Sequence, residues 1–382
     1  MTRLLVISDT PHYIRHGRVV GWEPRVRESG YLAAALGQVT ILAPLYRGAA
    51  PPIAVPYTSD QISLQPVRPL GGTGLGRKAH GLAALPGYAR AIRRAIIEAD
   101  LVHVRCPSVI GLAACLVLGL DRRVPRWSQY LSNWRPDQQE PWSYTFQRRW
   151  LERGLIGGPV VIHGRWPGQP GHVHSILLPC LTEAEVHQGS AVSAGKRLRE
   201  PIRLLFVGRL IPAKGAGRAL EILAGLIGRG RQAQLDVVGG GPQRPHLEAL
   251  AAELGVTDRV RLHGFQERSS FSELYRHAHV TLLPSNFSEG WPKVLSEGMA
   301  YGSVPIAGAV SSIPQGLADT GAGLALPPLD IAAHVEAIDE LLRHPARWEE
   351  MSRRALDAAP AFTYEVYVRR LVEMLRASQI PI

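Results

Sequence analysis

The chain has 382 residues, 46% apolar and 20% charged, which is too long for one ordinary core and too apolar for disorder. Its net charge of +11 is one-sided: residues 1–200 hold 24 Lys and Arg against 13 Asp and Glu, whereas residues 201–382 hold 19 of each. Three cysteines, Cys106, Cys115 and Cys180, offer neither metal-ligand spacing nor an even disulfide set, so a reducing compartment is expected.

From the N-terminus, MTRLLVISDT turns polar too early for a signal peptide. Apolar, β-branched runs at 3–8, 39–44, 101–105, 126–131, 159–163 and 175–179 predict strands, and Val26, Leu32 and Leu36 recur at helical spacing over 25–36. The longest apolar run, VIGLAACLVLGL at 109–120, falls short of the roughly 20 residues that span a bilayer and reads as buried helix. Further strands are predicted at 202–208, 233–239, 259–265, 279–284 and 304–308, with helical stretches between them. Continuous apolar strands joined by helices mean parallel sheet covered on both faces, and two such series predict two doubly wound α/β domains. The expected divisions are a first domain over 1–182, a polar linker over 183–201, a second domain over 202–361 and a closing helix over 362–382.

Basic excess confined to one half points to an anionic partner for that half: a membrane surface, a phosphorylated acceptor or nucleic acid. Biased base composition explains why 39 arginines accompany 4 lysines, but not why only one half is basic. The segments YARAIRRAII (88–97) and YTFQRRWLERGLI (144–156) are cationic and amphipathic, which suits an anionic membrane surface and equally suits ordinary packed helices. Nucleic acid is disfavoured, because no recognisable module appears and the second half is neutral.

Three stretches follow strands of the second half, where ligands of open α/β sheets bind. In FVGRLIPAKGAGRALEIL (206–223), Arg209 and Lys214 project from a glycine-rich turn beside a helix N-terminus, a suitable place for a diphosphate. VVGGGPQRPHLEAL (237–250) places glycines, Gly239 first, where backbone approaches phosphate or ribose; a plain strand-to-helix turn reads as well. SNFSEGWPKVLSEGMAYGSVP (285–305) holds Glu289 in a loop and Glu297 within a short helix after Pro292. Carboxylates there accept hydrogen bonds from sugar hydroxyls and oppose positive charge at an anomeric carbon. The plainer alternative puts Glu289 at a helix N-terminus and Glu297 on the surface.

GRLIPAKG, VVGGGPQRPHLEALAAELGVTDRVRLHGF and SEGWPKVLSEGMAYGSVPIAG together resemble the retaining GT-B glycosyltransferases of family 4, also called glycosyl transferases group 1. The resemblance covers the second domain, and FTYEVYVRRLVEML is similar to the family's closing helix, which crosses back onto the first domain. It implies a GT-B fold, two Rossmann-like parallel-sheet domains facing an interdomain cleft. It implies transfer of a sugar from a nucleoside-diphosphate sugar to a glycan or lipid-linked acceptor, with retention and without cofactor or metal. Arg209 and Lys214 would bind the diphosphate, Glu289 would lie beside the donor sugar and act with them in catalysis, and Glu297 would hold the ribose hydroxyls. His263 and Gly264 would border the base, and Gly239, Gly290, Trp291 and Val294 would complete the donor site. Together with the cysteine usage, this sets the expectation of a cytoplasmic protein, peripheral on the inner face of a membrane.

The first half departs from that pattern. Where family members carry a double glycine in the first loop, TPHYIRHGRVVGWEPRVRES has Gly17 and Gly21 singly. SQYLSNWRP places Ser132 or Asn133 where a functional histidine is common, leaving His12, His16 or His103 as substitutes, and SSIPQ puts Gln315 where an acid is usual. A nucleotide-sugar epimerase of the same fold and a catalytically weak nucleotide-sugar-binding or scaffold protein are the rival readings.

Overall fold

The apolar runs become parallel strands because their side chains find cover on both faces of a sheet. A computed structural model describes residues 2–70, 74–136, 139–266, 268–287 and 290–382, without the side chains of 74–80 and 269. Two units result: Met1–Ile176 with Tyr367–Ile382, and Leu177–Val366.

The first unit holds β1 (Thr2–Ile7), β2 (His12–Arg15), β3 (Arg18–Trp22), β4 (Gly37–Pro44), β5 (Ala54–Pro56), β6 (Ile62–Val67), β7 (Leu101–Cys106), β8 (Arg126–Tyr130), β9 (Val160–Ile162) and β10 (Val173–Ser175). Seven of these form one parallel sheet in the order β10-β9-β8-β7-β1-β4-β6. The chain winds outward from β1 through β4 to β6, then returns to start again at β7. The direction of winding therefore reverses between β1 and β7, which creates a crevice at their C-terminal ends.

The second unit repeats the plan with β11 (Ile202–Val207), β12 (Ala233–Val238), β13 (Val260–Gly264), β14 (Val280–Leu283), β15 (Val304–Gly308) and β16 (Leu324–Leu326). Their order is β13-β12-β11-β14-β15-β16, all parallel, so the reversal here falls between β11 and β14. The run 109–120 is the helix Val109–Leu120, buried along most of its length. No helix among the described residues is long and apolar enough to cross a membrane.

Sequence and structure differ at several strands, among them β2, β3, β5, β6, β10 and β16. The run expected at 175–179 is a strand only over Val173–Ser175, after which Ile176 turns its backbone N–H to Ile162. Ile62–Val67 went unnoticed because an edge strand tolerates the proline and glutamine of ISLQPV. The first loop is a β2–β3 hairpin extended by β5, whose turn puts His16 and Gly17 at φ 49° and 73°. Two consecutive left-handed residues match the twist of the flanking strands, which is what Gly17 supplies. Gly21 serves differently: a Cβ there would stand 3.1 Å from the His12 ring. His12 fills that space, with Nε2 2.7 Å from the Tyr57 hydroxyl, and burial lowers its pKa to about 4. His103 lies buried against Trp127 at 4.5 Å, and burial, then Arg25, lowers its pKa to about 3. Both rings are therefore neutral at pH 7 and packed as structural groups; His16 is exposed at the hairpin turn.

The closing helix Tyr364–Ala377 contributes Tyr367, Leu371, Met374 and Leu375 to a core shared with Leu4, Val6, Val39, Ile41 and Trp127. Residues from the two extremes of the chain thus make one face of the first sheet.

Candidate functional site

At the reversal between β11 and β14, two loops meet. The first leaves β11 through Gly208 and Arg209, makes the short 3-10 turn Pro212–Lys214, and enters the helix Ala216–Gly228 through Gly215 in the left-handed region. The second is 284–287, following β14. They are fastened together at several points. Asn286 donates its backbone N–H to the Ala213 carbonyl at 3.0 Å, the Ser285 hydroxyl reaches the same oxygen at 3.2 Å, and Arg218 donates to the Pro284 carbonyl at 2.6 Å. A Cβ on Gly215 would lie 2.3 Å from that Pro284 carbonyl, so glycine permits the contact.

Phe287 is the piece the sequence reading missed. Lys214 Nζ stands 4.6 Å from its ring centroid and Arg209 Cζ 5.6 Å, so one aromatic ring gathers both cations. They sit beside the N-terminus of Ala216–Gly228, whose first N–H groups and dipole favour an anion.

The glycine loop after β12 braces the other side. Gly239, at φ 135°, would carry a Cβ 1.9 Å from the Gly208 carbonyl oxygen, and one on Gly241 would lie 2.4 Å from that of Leu210. Gly239 N–H also donates to the Gly264 carbonyl at 2.8 Å. The close approach these glycines make is to the backbone carrying Arg209. His263 Nε2 pairs with Asp236 Oδ1 at 2.6 Å, joining the ends of β12 and β13.

Glu297 lies on the helix Lys293–Ala300 and is 8% exposed. Gly298 allows that helix close to β14, since a Cβ there would be 2.1 Å from Thr281 Oγ1. Its carboxylate accepts from Arg268 Nη1 at 3.0 Å and from the Tyr275 hydroxyl at 3.1 Å. Arg268 also donates to Glu185 at 2.8 Å and to the Cys180 carbonyl at 2.7 Å. Burial opposes the Arg268 charge, but Glu297 and Glu185 outweigh it and hold the guanidinium above its ordinary pKa. Burial, then Glu297, pushes the Tyr275 phenol well up. An ionised carboxylate has about four acceptor positions, so Glu297 retains capacity for ligand hydroxyls.

The other expected donor-site residues divide. Trp291 is buried, stacked 5.5 Å from Phe362 and donating to the Ser296 hydroxyl at 2.6 Å, so its ring is a core element. Val294 packs at the edge of the same core, and Gly290 is buried just before it. Glu289 lies outside the described residues.

Within the second unit the chain is similar to a known family. Residues 193–358 match the family model of the glycosyl transferases group 1. An alpha-D-kanosaminyltransferase of Streptomyces kanamyceticus is 31% identical over 163 residues, covering 43% of this chain and 42% of the relative. A D-inositol 3-phosphate glycosyltransferase of Frankia alni is 32% identical over 187 residues, covering 47% and 46%. The chain thus spans less than half the length of these relatives in each match. Solved structures extend the likeness to the whole fold. A sucrose-phosphate synthase from Thermosynechococcus elongatus superposes with a TM-score of 0.71 at 20% identity, covering 99% of both chains. Anabaena HepE in complex with UDP and glucose gives 0.69 at 14% identity, covering 98% of this chain and all of that one. The fold is that of the GT-B glycosyltransferases. Within the group 1 segment fall Arg209, Lys214, Phe287, the glycine loop and Glu297.

Proposed function

We propose that the protein is a retaining glycosyltransferase that moves a sugar from a nucleoside-diphosphate sugar to a lipid-linked or polysaccharide-precursor acceptor. One observation carries the reading: Arg209 and Lys214 gathered on Phe287 at the reversal between β11 and β14. Two fixed cations and a helix N-terminus match a pyrophosphate, and they stabilise charge on it as the sugar leaves, the task a divalent metal performs elsewhere. Glu297 would take the ribose hydroxyls, Glu289 the donor sugar, and the backbone at His263 and Gly264 the base. Anabaena HepE was solved in complex with UDP, with and without glucose, which supports a nucleotide donor. A matching nucleotide sugar among UDP-, GDP- and ADP-forms is expected to raise the melting temperature by about 3–6 °C at ten times its Kd. No shift with any of them, in a folded protein, would end the reading. An epimerase would consume the same donor without an acceptor, so release of free or epimerised sugar in the absence of acceptor separates the two.

The lipid-linked acceptor is favoured by a face of the first unit. Leu120 (85% exposed), Ile97 (76%) and Trp142 (63%) lie near Arg93, Arg122, Arg123, Arg149 and Arg153. The helices Val109–Leu120 and Trp142–Glu152 pack through Gly119, where a Cβ would meet Trp150 at 2.9 Å, and Arg122 donates to the Leu155 carbonyl at 3.0 Å, so these residues form one continuous face. Exposed large apolar side chains ringed by arginine suit the headgroup region of an anionic bilayer. The protein is expected to float with vesicles containing phosphatidylglycerol and to remain behind with purely zwitterionic ones. Equal behaviour with both would remove the membrane from the proposal.

A further inference from the structure

The end torsion of a glutamate side chain is broad, so a lone carboxylate turns easily about its own axis. Glu297 is not alone. Its Oε1 accepts from Arg268 Nη1 at 3.0 Å and its Oε2 from the Tyr275 hydroxyl at 3.1 Å, one donor on each oxygen among the described residues. The plane of the group is thereby set. Each oxygen offers about two lone-pair sites, so each retains one. Two acceptors side by side match two adjacent hydroxyls, the arrangement at the 2′ and 3′ positions of a ribose. A cavity of about 30 Å³ opens against Glu185, Arg268, Tyr275 and Glu297, and a water-sized group needs about 10–15 Å³, so two hydroxyls fit.

Both donors are themselves held. Arg268 opens the helix Arg268–His277; besides Glu297, its Nε donates to Glu185 Oε1 at 2.8 Å and its Nη2 to the Cys180 carbonyl at 2.7 Å. All three guanidinium nitrogens are engaged, so the planar fork cannot turn without breaking a bond. Glu185 is fixed in turn by the start of the helix Glu183–Ser193, where its Oε2 accepts the Thr182 N–H at 2.7 Å in a capping box. Tyr275 is buried and stacks on Tyr301 at 5.8 Å. Lys196 donates to the carbonyls of Tyr275 at 3.1 Å, Ala278 at 3.1 Å and Tyr301 at 2.6 Å. One ammonium therefore ties together the C-terminal ends of the helices that carry Tyr275 and Glu297.

We propose that Arg268 and Tyr275 are positioning residues for Glu297, aiming its two oxygens so that the protein selects a nucleotide with a vicinal diol, a ribose over a 2′-deoxyribose. This rests on the reading above that gives Glu297 the ribose. Arg268 and Tyr275 act through the carboxylate: a hydroxyl pair gains two hydrogen bonds to a charged group whose orientation is already fixed, and a single hydroxyl gains one.

The test measures binding of UDP, GDP and ADP, and of their 2′-deoxy forms, to the full chain by titration calorimetry. For the base that binds, the wild-type protein is expected to hold the ribo form about tenfold or more tighter than the deoxy form, the margin of one hydrogen bond to a charged group. Arg268→Gln would strip Glu297 and Glu185 of their counter-charge, a loss large enough to unfold a domain. The variants are therefore Arg268→Lys, which keeps the charge without the planar fork, and Tyr275→Phe, which removes one hydroxyl. In each, the ratio is expected to fall to about threefold or less while affinity for the deoxy form changes by less than about twofold. A residue with only a structural role would weaken both forms alike. A ratio kept within about twofold of wild type in either folded variant would overturn the proposal. So would a wild-type protein that takes both forms equally; if a nucleotide sugar still raises its melting temperature, the transferase reading stands without this inference. A wild-type protein that binds no nucleoside diphosphate removes both.

Discussion

Lys214→Ala is expected to lower the rate of sugar transfer about 100- to 1,000-fold, the usual consequence of removing one preorganised charge stabiliser. The expectation follows from where the charge sits. Gly215 turns the chain in the left-handed region directly after Lys214, and three hydrogen bonds to the 284–287 loop fix that turn, so the ammonium is held in place before any donor arrives. A leaving diphosphate gains negative charge as the glycosidic bond breaks, and a group already in position pays no reorganisation cost at that moment. Arg209→Ala is expected to act in the same sense, since both cations share Phe287. Stability is expected to change by less than about 0.5 kcal/mol, because neither side chain enters the core. The check is initial-rate kinetics alongside thermal melts; a Lys214→Ala protein working within twofold of wild type would remove the cation from the chemistry.

Gly239→Ala is expected to destroy the second unit instead of slowing it. The residue stands at φ 135°, which L side chains rarely adopt, and its Cβ would meet the Gly208 carbonyl oxygen at 1.9 Å. That oxygen belongs to backbone leaving β11, and β11 is paired with β12 over Ile202↔Ala233 to Val207↔Val238, so it cannot retreat without parting two neighbouring strands. A cost of about 4–5 kcal/mol or more is of the order of a whole domain's stability. Gly240→Ala is the control: nothing lies within 4 Å of a Cβ there, and it is expected to fold normally. Denaturant melts of both variants decide the matter. Equal stability would mean that the glycine loop does not brace the cation loop.

Much of the scaffold could be read before it was seen, and for one reason. Strands covered on both faces write continuous apolar runs, and β15 at Val304–Gly308 matches its run residue for residue. Arg209 and Lys214 were legible because strand-end loops of such sheets are where ligands go. Glu297 stood out as an acid among apolar helix positions, and the structure buries it. What stayed hidden needed partners brought from afar. Arg105 and Glu28 lie 77 positions apart, and Arg268 joins Glu185 across 83; no local spacing announces such pairs. Phe287 looked like one apolar residue among many, since only the fold sets it beneath two cations. The hairpin hid for another reason: its strands are short, and its turn uses His16 in place of the usual Asn or Asp before glycine.

The closing helix has a consequence for biogenesis. Ribosomes deliver Leu4 and Val6 first, yet the layer that shields them includes Tyr367, Leu371 and Leu375. The half made earliest therefore matures last: on that face its sheet has only the partial cover of Leu32, Ala33 and Leu36 while the whole second half is being translated. Nascent chains stalled before residue 367 would expose the uncovered part of that face to chaperones and proteases, although the later half already holds every strand it needs.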